Sequence, residues 1–364
     1  MMGMKRWLAC LGGLLLLTGC TSSRPIDEIQ IIQQMGYDFE DEHYTGTAVY
    51  PTFKQGPMTK PNLLTTSSPT VYDLIPRLSA KSPLPIEEGQ LRLILFGKRF
   101  AERGIEQITH SLARNNKVGS DLFLGVAEGS AKELLEITAK TTLSDTLYLP
   151  NLVRQNEQSM NLPKTNLHLF LYRYFSPGSD PFLPYFEKKG EFVKLEGVAL
   201  FRDGRYVGRV SLRDSFLMKI LLGETKNGVY QLKIGERGKQ GEDRVMLQNL
   251  WAKPTYEWRR DGGRHVLDVS VHIHASVKDY PSWLDKPGAN LFADVKEKME
   301  EELERNMRRL FHYFQEKRID PLGIGDFVRS VTRQWDRESF YHEYPDLEIR
   351  PRVTVDIIHT GIGE

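Results

Sequence analysis

The chain has 364 residues, and its 49 lysines and arginines almost balance its 48 aspartates and glutamates, leaving a formal net charge of +1 at pH 7. Dedicated nucleic-acid-binding proteins carry a one-sided basic excess, so this balance argues against that class. The length allows two or three domains with adequate hydrophobic cores.

The first twenty residues have the layout of a secretory signal. Lys5 and Arg6 precede an apolar stretch at residues 7–17, which is too short for a membrane-spanning helix of about 20 apolar residues. The segment LTGC, residues 17–20, resembles the bacterial lipobox. This resemblance implies that the Cys20 sulfur is diacylated and that the signal peptide, residues 1–19, is removed. The alternative is an ordinary signal peptide or signal anchor in which the cysteine has no role.

A lipidated Cys20 predicts a protein that is anchored to the bilayer without spanning it. Two acyl chains, at about 0.8 kcal/mol per buried methylene, hold a protein firmly at a membrane surface. The other of the two cysteines, Cys10, leaves with the signal. The mature chain therefore has no disulfide and no cysteine metal site, and its fold depends on packing alone.

The N-terminal region, residues 20–191, shows alternating strand and helix patterns, and we expect two subdomains in it. Apolar runs predict strands at residues 91–97 and 122–127, each followed by a helical pattern, which is typical of an α/β-like unit. The other predicted elements are a strand or helix at 26–35, a loop at 51–70, helices at 71–78, from 98 and at 131–140, and a strand at 167–174.

We place a domain boundary just before Phe192, so that residues 192–364 form a C-terminal domain opening with a hairpin. Two apolar segments, residues 198–202 and 206–210, flank Asp203-Gly204, a favoured type I′ turn pair. Asp203, Gly204 and Gly208 are expected to shape this hairpin.

The rest of this domain combines strands with one long helix. Apolar and polar residues alternate at 266–277, which predicts a half-buried antiparallel strand. From residue 290 apolar residues recur every three or four positions as far as Phe314, which predicts a helix with one buried face. A second helix is expected to carry residues 327–335, and Pro351 in a final strand at 347–358 suggests an edge or a bulge. The predicted fold class is α+β, multidomain, with antiparallel or mixed sheets, flanking helices and this long amphipathic helix.

Catalytic motifs are missing from the sequence. It contains no HExxH, Walker loop, GxSxG elbow or strand-linked GxGxxG, so we expect neither an enzyme nor a cofactor. The segment at residues 235–239 is superficially like a phosphate loop, but its spacing favours a polar hairpin loop. The acidic run at residues 300–302 is expected to be a solvated face.

Each of three groups of residues could have either a functional or a purely structural role. His272 and His274 share one face of a strand and could bind a metal if a third ligand came from elsewhere, although histidines on a polar face need no such role. The apolar stripe of the long helix could be a partner groove or core. Residues 335–336 and 341–344 could line a small pocket or form an aromatic cap.

Several segments together resemble the Ger(x)C family, the lipoprotein C subunits of spore-germination nutrient receptors. Beside the lipobox, they are TVYDLIPRLSAKSP (70–83), LRLILFGKRFAERGI (91–105), SLARNNKVGSDLFLGVAEGSAKELL (111–135), EGVALFRDGRYVGRVS (196–211), IDPLGIGDFVRSV (319–331) and the closing VTVDIIHTGIG. The resemblance covers essentially the whole mature chain and rests on the order of the segments. It implies a non-enzymatic, three-domain α+β lipoprotein on the outer face of the inner spore membrane, assembled with integral-membrane A and B subunits.

Two other classes compete with this reading. A solute-binding lipoprotein of a transporter usually has two doubly wound lobes, whereas the C-terminal half here predicts antiparallel strands and one long helix. A cell-wall enzyme would need paired carboxylates or a metal cluster, and the sequence offers no credible set.

Overall fold

A computed structural model of the protein describes residue 25 and residues 28–52, 60–141, 146–238, 241–280 and 291–360. Its strands are β1 (Gln30–Ile31), β2 (Gln34–Glu40), β3 (His43–Thr52), β4 (Lys60–Ser68), β5 (Ile86–Glu87), β6 (Leu93–Gly97), β7 (Phe123–Ala127), β8 (Phe182–Lys189), β9 (Phe192–Arg202), β10 (Arg205–Ser211), β11 (Val229–Gly238), β12 (Gly241–Asp261), β13 (Arg264–Asp279) and β14 (Glu348–Thr360). Its α-helices are α1 (Leu74–Lys81), α2 (Lys98–Arg103), α3 (Glu106–Arg114), α4 (Ala131–Lys140), α5 (Tyr148–Ser159), α6 (Leu167–Phe175), α7 (Leu212–Leu221), α8 (Leu291–Lys317), α9 (Ile324–Val331) and α10 (Arg337–Glu343).

The first sheet has eight strands in the order β10-β9-β8-β7-β6-β2-β3-β4. Its four central strands, β8, β7, β6 and β2, are parallel, and antiparallel strands extend it on both sides. Strands β6 and β7 are buried along their whole length, because helices cover both faces of this parallel centre. The predicted α/β-like unit is therefore present within a mixed sheet.

The helices divide between the two faces of this sheet. Apolar residues of α1, α2, α3 and α6 pack on one face in one hydrophobic cluster. Those of α4, α5 and α7 pack on the other face in a second cluster. This second cluster continues into the interior of the C-terminal sheet, so the two sheets share one core.

The second sheet has four strands in the order β11-β12-β13-β14. Strands β11, β12 and β13 are antiparallel, and β14 returns parallel to β13 after the chain has passed through α8. The predicted apolar stripe of α8 faces the core, with Met299, Leu303, Met307 and Phe314 fully buried. This confirms core packing as the role of the stripe, and β14 is an edge strand, as Pro351 suggested.

The edge formed by β14 is covered by glutamates of α8. Glu300 Oε1 accepts a hydrogen bond from the Val355 amide at 2.8 Å, and Glu304 Oε1 accepts one from the Val353 amide at 3.1 Å. Exposed strand edges invite pairing with other chains, so such caps protect the fold. The expectation that residues 300–302 form only a solvated face was wrong, because Glu300 closes a sheet edge.

Residues 167–175 form helix α6, so the strand predicted there was wrong. Asn166 begins the helix, since its Oδ1 accepts a hydrogen bond from the Leu169 amide at 2.9 Å. Leu167 and Phe170 are its buried residues, which is the three-residue spacing of a helix face. The helix predicted across residues 327–335 ends at Val331, and a separate helix, α10, follows.

The hairpin of β9 and β10 has the predicted turn. Asp203 and Gly204 have φ angles of +50° and +75°, as a type I′ turn requires. A Cβ atom on Gly208 would lie 2.5 Å from the hydroxyl of Tyr313 in α8, so glycine allows the long helix to approach this hairpin. Because β9 pairs with β8, the hairpin belongs to the first sheet. The boundary before Phe192 and the subdivision of residues 20–191 remain predictions.

Candidate functional site

Cys20, the predicted lipidation site, lies outside the described residues, as do the rest of the signal segment and Lys239 of the glycine-rich loop. Gly238 pairs with Gly241, which confirms that this loop belongs to a hairpin. Among the described helices, none combines the length and the apolar character needed to span a membrane.

The two histidines considered as metal ligands lie side by side on β13, with ring centroids 5.0 Å apart. Strand β14 brings Asp356 into register with His274. The Asp356 Oδ2 atom lies 2.8 Å from His272 Nε2 and 3.9 Å from His274 Nε2. The third polar group that the sequence could not name therefore comes from the neighbouring parallel strand.

A second group of polar residues lies where the loop before β8 meets the loop after α8. The Asp180 amide donates to the Asp320 carbonyl at 2.8 Å, and the Asp326 amide donates to the Gly178 carbonyl at 2.9 Å. Ser176 also donates its hydroxyl hydrogen to the Asp326 carboxylate. A Cβ atom on Gly178 would collide with the backbone nitrogen of Asp326, so this approach needs a glycine. We call this contact between residues 176–181 and 318–326 the junction.

A half-buried carboxyl group, Asp180, and a fully buried one, Asp320, form the centre of the junction. Asp180 Oδ2 accepts a hydrogen bond from the Asp320 amide at 2.8 Å. The Asp320 carboxyl is fully buried and accepts from the amides of Ile324 and Gly325 at 2.9 and 2.7 Å. Burial raises the pKa of Asp180 to about 7 and that of Asp320 to about 6. Both carboxyl groups are therefore harder to ionise than a free aspartate.

A cavity of about 300 Å³ opens at the junction. The aromatic cluster considered as a possible pocket wall contributes Tyr341 and Tyr344, and the remaining lining residues are Ser179, Asp180, Arg202, Asp203, Arg318, Arg337 and Glu338. The hydroxyls of Ser179 and Tyr344 are buried, with no hydrogen-bond partner among the described residues. Hydroxyl, carboxyl and guanidinium groups together suit a small polar molecule or ordered water.

A larger cavity, of about 430 Å³, lies at the carboxyl ends of β2, β6 and β7. Two of its acidic residues, Asp38 and Glu128, have structural partners. Asp38 accepts hydrogen bonds from the amides of Ala131 and Lys132 at 2.7 and 2.9 Å, and so closes the first turn of α4. Glu128 pairs with Lys98 at 3.3 Å and accepts the hydroxyl hydrogen of Tyr185. Helix capping and ion pairing therefore account for these two carboxylates.

Comparison with known families divides the chain into two matched parts. Residues 22–188 match the spore germination protein N-terminal domain, and residues 196–361 match the spore germination B3/GerAC-like C-terminal domain. The chain belongs to the Ger(x)C family. It is 27% identical to the spore germination protein GerQC of Bacillus cereus over 362 residues. This alignment covers 99% of this chain and all of GerQC. The resemblance predicted from the ordered segments is thus confirmed.

The fold of this Ger(x)C protein is similar to that in the crystal structure of the GerBC protein. The TM-score is 0.59 at 14% sequence identity, and the match covers 89% of this chain and 97% of that chain. The α+β fold class with mixed sheets is confirmed. Two of the segments that carried the resemblance lie at the junction and its cavity. Residues 196–211 contribute Arg202 and Asp203 to the cavity lining, and residues 319–331 contribute Asp320 to the junction.

The junction of this Ger(x)C protein was not predicted from the sequence. The available signal was an Asp-Pro pair in each loop, Asp180-Pro181 and Asp320-Pro321. Proline favours turns and short loops. The two pairs are 140 residues apart in the sequence, however, and no sequence pattern shows that they are in contact. Only the path of the chain through both sheets brings them together.

Proposed function

We propose that this protein is the lipid-anchored C subunit of a spore nutrient germinant receptor. In this proposal, diacylglyceryl-Cys20 holds the folded body on the outer face of the inner spore membrane, where it assembles with integral-membrane A and B subunits. The observation that carries the proposal is the family match across almost the whole chain, preceded by the LTGC segment at residues 17–20.

The proposed role is contact and coupling without a chemical step. Asp38 and Glu128 of the larger cavity serve as a helix cap and an ion-pair partner, and the junction residues tie two loops together. A solute-binding lipoprotein fits less well, because the second sheet has three antiparallel strands and one parallel edge strand where that class has a doubly wound lobe.

The anchor is tested by comparing spores that express wild type, Cys20→Ala or Cys10→Ala. Cys10→Ala is the matched control, because it removes a thiol from the signal segment and leaves residues 17–20 intact. We expect labelled palmitate to be incorporated into wild type and the control and to be lost from Cys20→Ala, together with nutrient-triggered germination. Labelling that survives in Cys20→Ala would contradict the anchor.

Assembly is tested separately by purifying the tagged chain from detergent-solubilised spore membranes. We expect two integral-membrane proteins to be retained in fixed proportion with wild type. If the chain is recovered alone under conditions that keep other membrane complexes intact, the receptor-subunit proposal fails even where the lipid is present.

A further inference from the structure

The geometry of β13 and β14 points to a metal site, and we propose that His272, His274 and Asp356 bind one divalent transition-metal ion, with zinc as the representative. The three residues offer two imidazole nitrogens and one carboxylate oxygen, all within 4.8 Å of one another. This inference goes beyond the proposed receptor role and does not depend on it.

The separations between the carboxylate oxygen and the two imidazole nitrogens are close to those that a bound ion requires. Bonds of about 2.0–2.1 Å in a tetrahedral arrangement place neighbouring ligand atoms about 3.3 Å apart. Here Asp356 Oδ2 lies 2.8 Å from one imidazole nitrogen and 3.9 Å from the other. Small side-chain rotations would equalise these distances, and the backbone can stay in place because all three residues lie on paired strands.

Neighbouring side chains hold two of the ligands in position. The ring of Trp251 packs edge-on against His274, with centroids 5.1 Å apart, and its own Nε1 donates to Glu224 at 2.9 Å. Lys296 lies 3.7 Å from Asp356 Oδ1, the oxygen that does not face the histidines. Outer contacts of this kind orient ligands and are a normal part of metal sites.

The ligand set selects the class of ion. Imidazole suits zinc, copper, nickel and iron, and two histidines with one carboxylate leave further coordination positions open for water. The competing reading is a plain charged hydrogen bond, because His272 Nε2 and Asp356 Oδ2 already lie 2.8 Å apart. In that reading His274 only packs against Trp251, whereas a metal site engages both rings.

The decisive experiment is a zinc titration of the full chain in mild detergent, purified through a tag without histidine and stripped with a chelator. A colorimetric chelator competes for zinc and reports the affinity. The variants are His272→Ala and Asp356→Asn. His312→Ala is the matched control, since His312 faces Glu316 at 3.3 Å as one histidine with one carboxylate on the exposed side of α8.

We expect one zinc per chain, an affinity that falls by at least about tenfold in both site variants, and no change in the control. Equal affinity in all four proteins, or no binding by wild type, overturns the proposal. Cobalt titration of wild type keeps the test independent of variant folding. A visible absorption that saturates at one equivalent and disappears on adding zinc supports the site, and a featureless spectrum refutes it.

Discussion

The substitution Asp180→Asn should stabilise the protein at alkaline pH. The Asp180 side chain sits at the junction, where its Oδ2 accepts the Asp320 amide hydrogen at 2.8 Å. An asparagine oxygen can accept the same bond without carrying a charge. The variant therefore keeps the main contact and removes the cost of a buried carboxylate.

The direction of the pH dependence follows from the pKa of Asp180, which burial raises from 3.8 to about 7. Between these values the native carboxyl binds a proton that the unfolded chain releases, so the free energy of unfolding falls as pH rises from about 4 to about 7. One pKa unit corresponds to about 1.4 kcal/mol, which gives a cost of about 4 kcal/mol for the ionised group. The shift already includes the Asp320 amide bond, which favours the ionised carboxylate. We therefore expect a gain of up to about 4 kcal/mol at pH 8 and almost none at pH 4.

This difference can be measured by denaturant unfolding of the full chain in mild detergent. Unfolding is followed by tryptophan fluorescence, to which Trp251, Trp258, Trp283 and Trp335 of the C-terminal half contribute. Asp203→Asn is the control, because Asp203 lines the same cavity with an exposed side chain. It should change the unfolding free energy by less than about 0.5 kcal/mol. A variant Asp180→Asn that is less stable than wild type at pH 8, or that changes stability equally at pH 4 and pH 8, would refute the reasoning.

Two further substitutions test the contacts that hold the fold together. Gly178→Ala forces a Cβ atom into the Asp326 backbone and should cost about 3 kcal/mol or more, measured by unfolding; an unchanged midpoint would mean that the junction yields easily. Glu300→Gln replaces a charged cap on the β14 edge and should cost about 1 kcal/mol, with faster hydrogen exchange at the Val355 amide, whereas the exposed Glu301→Gln should change neither. Unaltered exchange at Val355 would show that this amide does not depend on the glutamate.

Elements with strong local signals could be predicted closely from the sequence. Helix α4 has the predicted bounds, because Ser130 caps it through the Glu133 amide at 3.3 Å and its apolar residues follow one face. Strand β13 shows the predicted alternation, since its odd-numbered residues from Leu267 to Val277 are buried. The strand prediction for the residues of α6 was wrong because its aromatic residues are also typical of strands. The Asn166 cap was the signal that could have decided between the two.

The sequence could identify only those candidate-site residues that lie together in one segment of the chain. The spacing of His272 and His274 places both rings on one strand face, but Asp356 joins them only because α8 returns the chain as a parallel neighbour of β13. Asp180 lies in the loop before β8 and Asp320 in the loop after α8, and these two loops meet at the junction. The two aspartates are 140 residues apart in the sequence. No hydrophobic periodicity relates residues at that separation, so their contact is determined by the topology of the chain.

The shared core predicts that the two matched halves of the chain unfold together. Buried residues of the first sheet, such as Leu93 and Phe182, belong to the same hydrophobic cluster as Leu267 of the second sheet and Met299 of α8. Helix α8 also contacts the β9–β10 hairpin at Gly208 and leads directly into the junction. Separating the halves would therefore expose one continuous apolar surface, and we expect a single cooperative transition in calorimetry of the full chain. Two well-separated transitions would show that the junction and the core join bodies that fold independently. A single transition would mean that the two matched halves unfold as one thermodynamic unit.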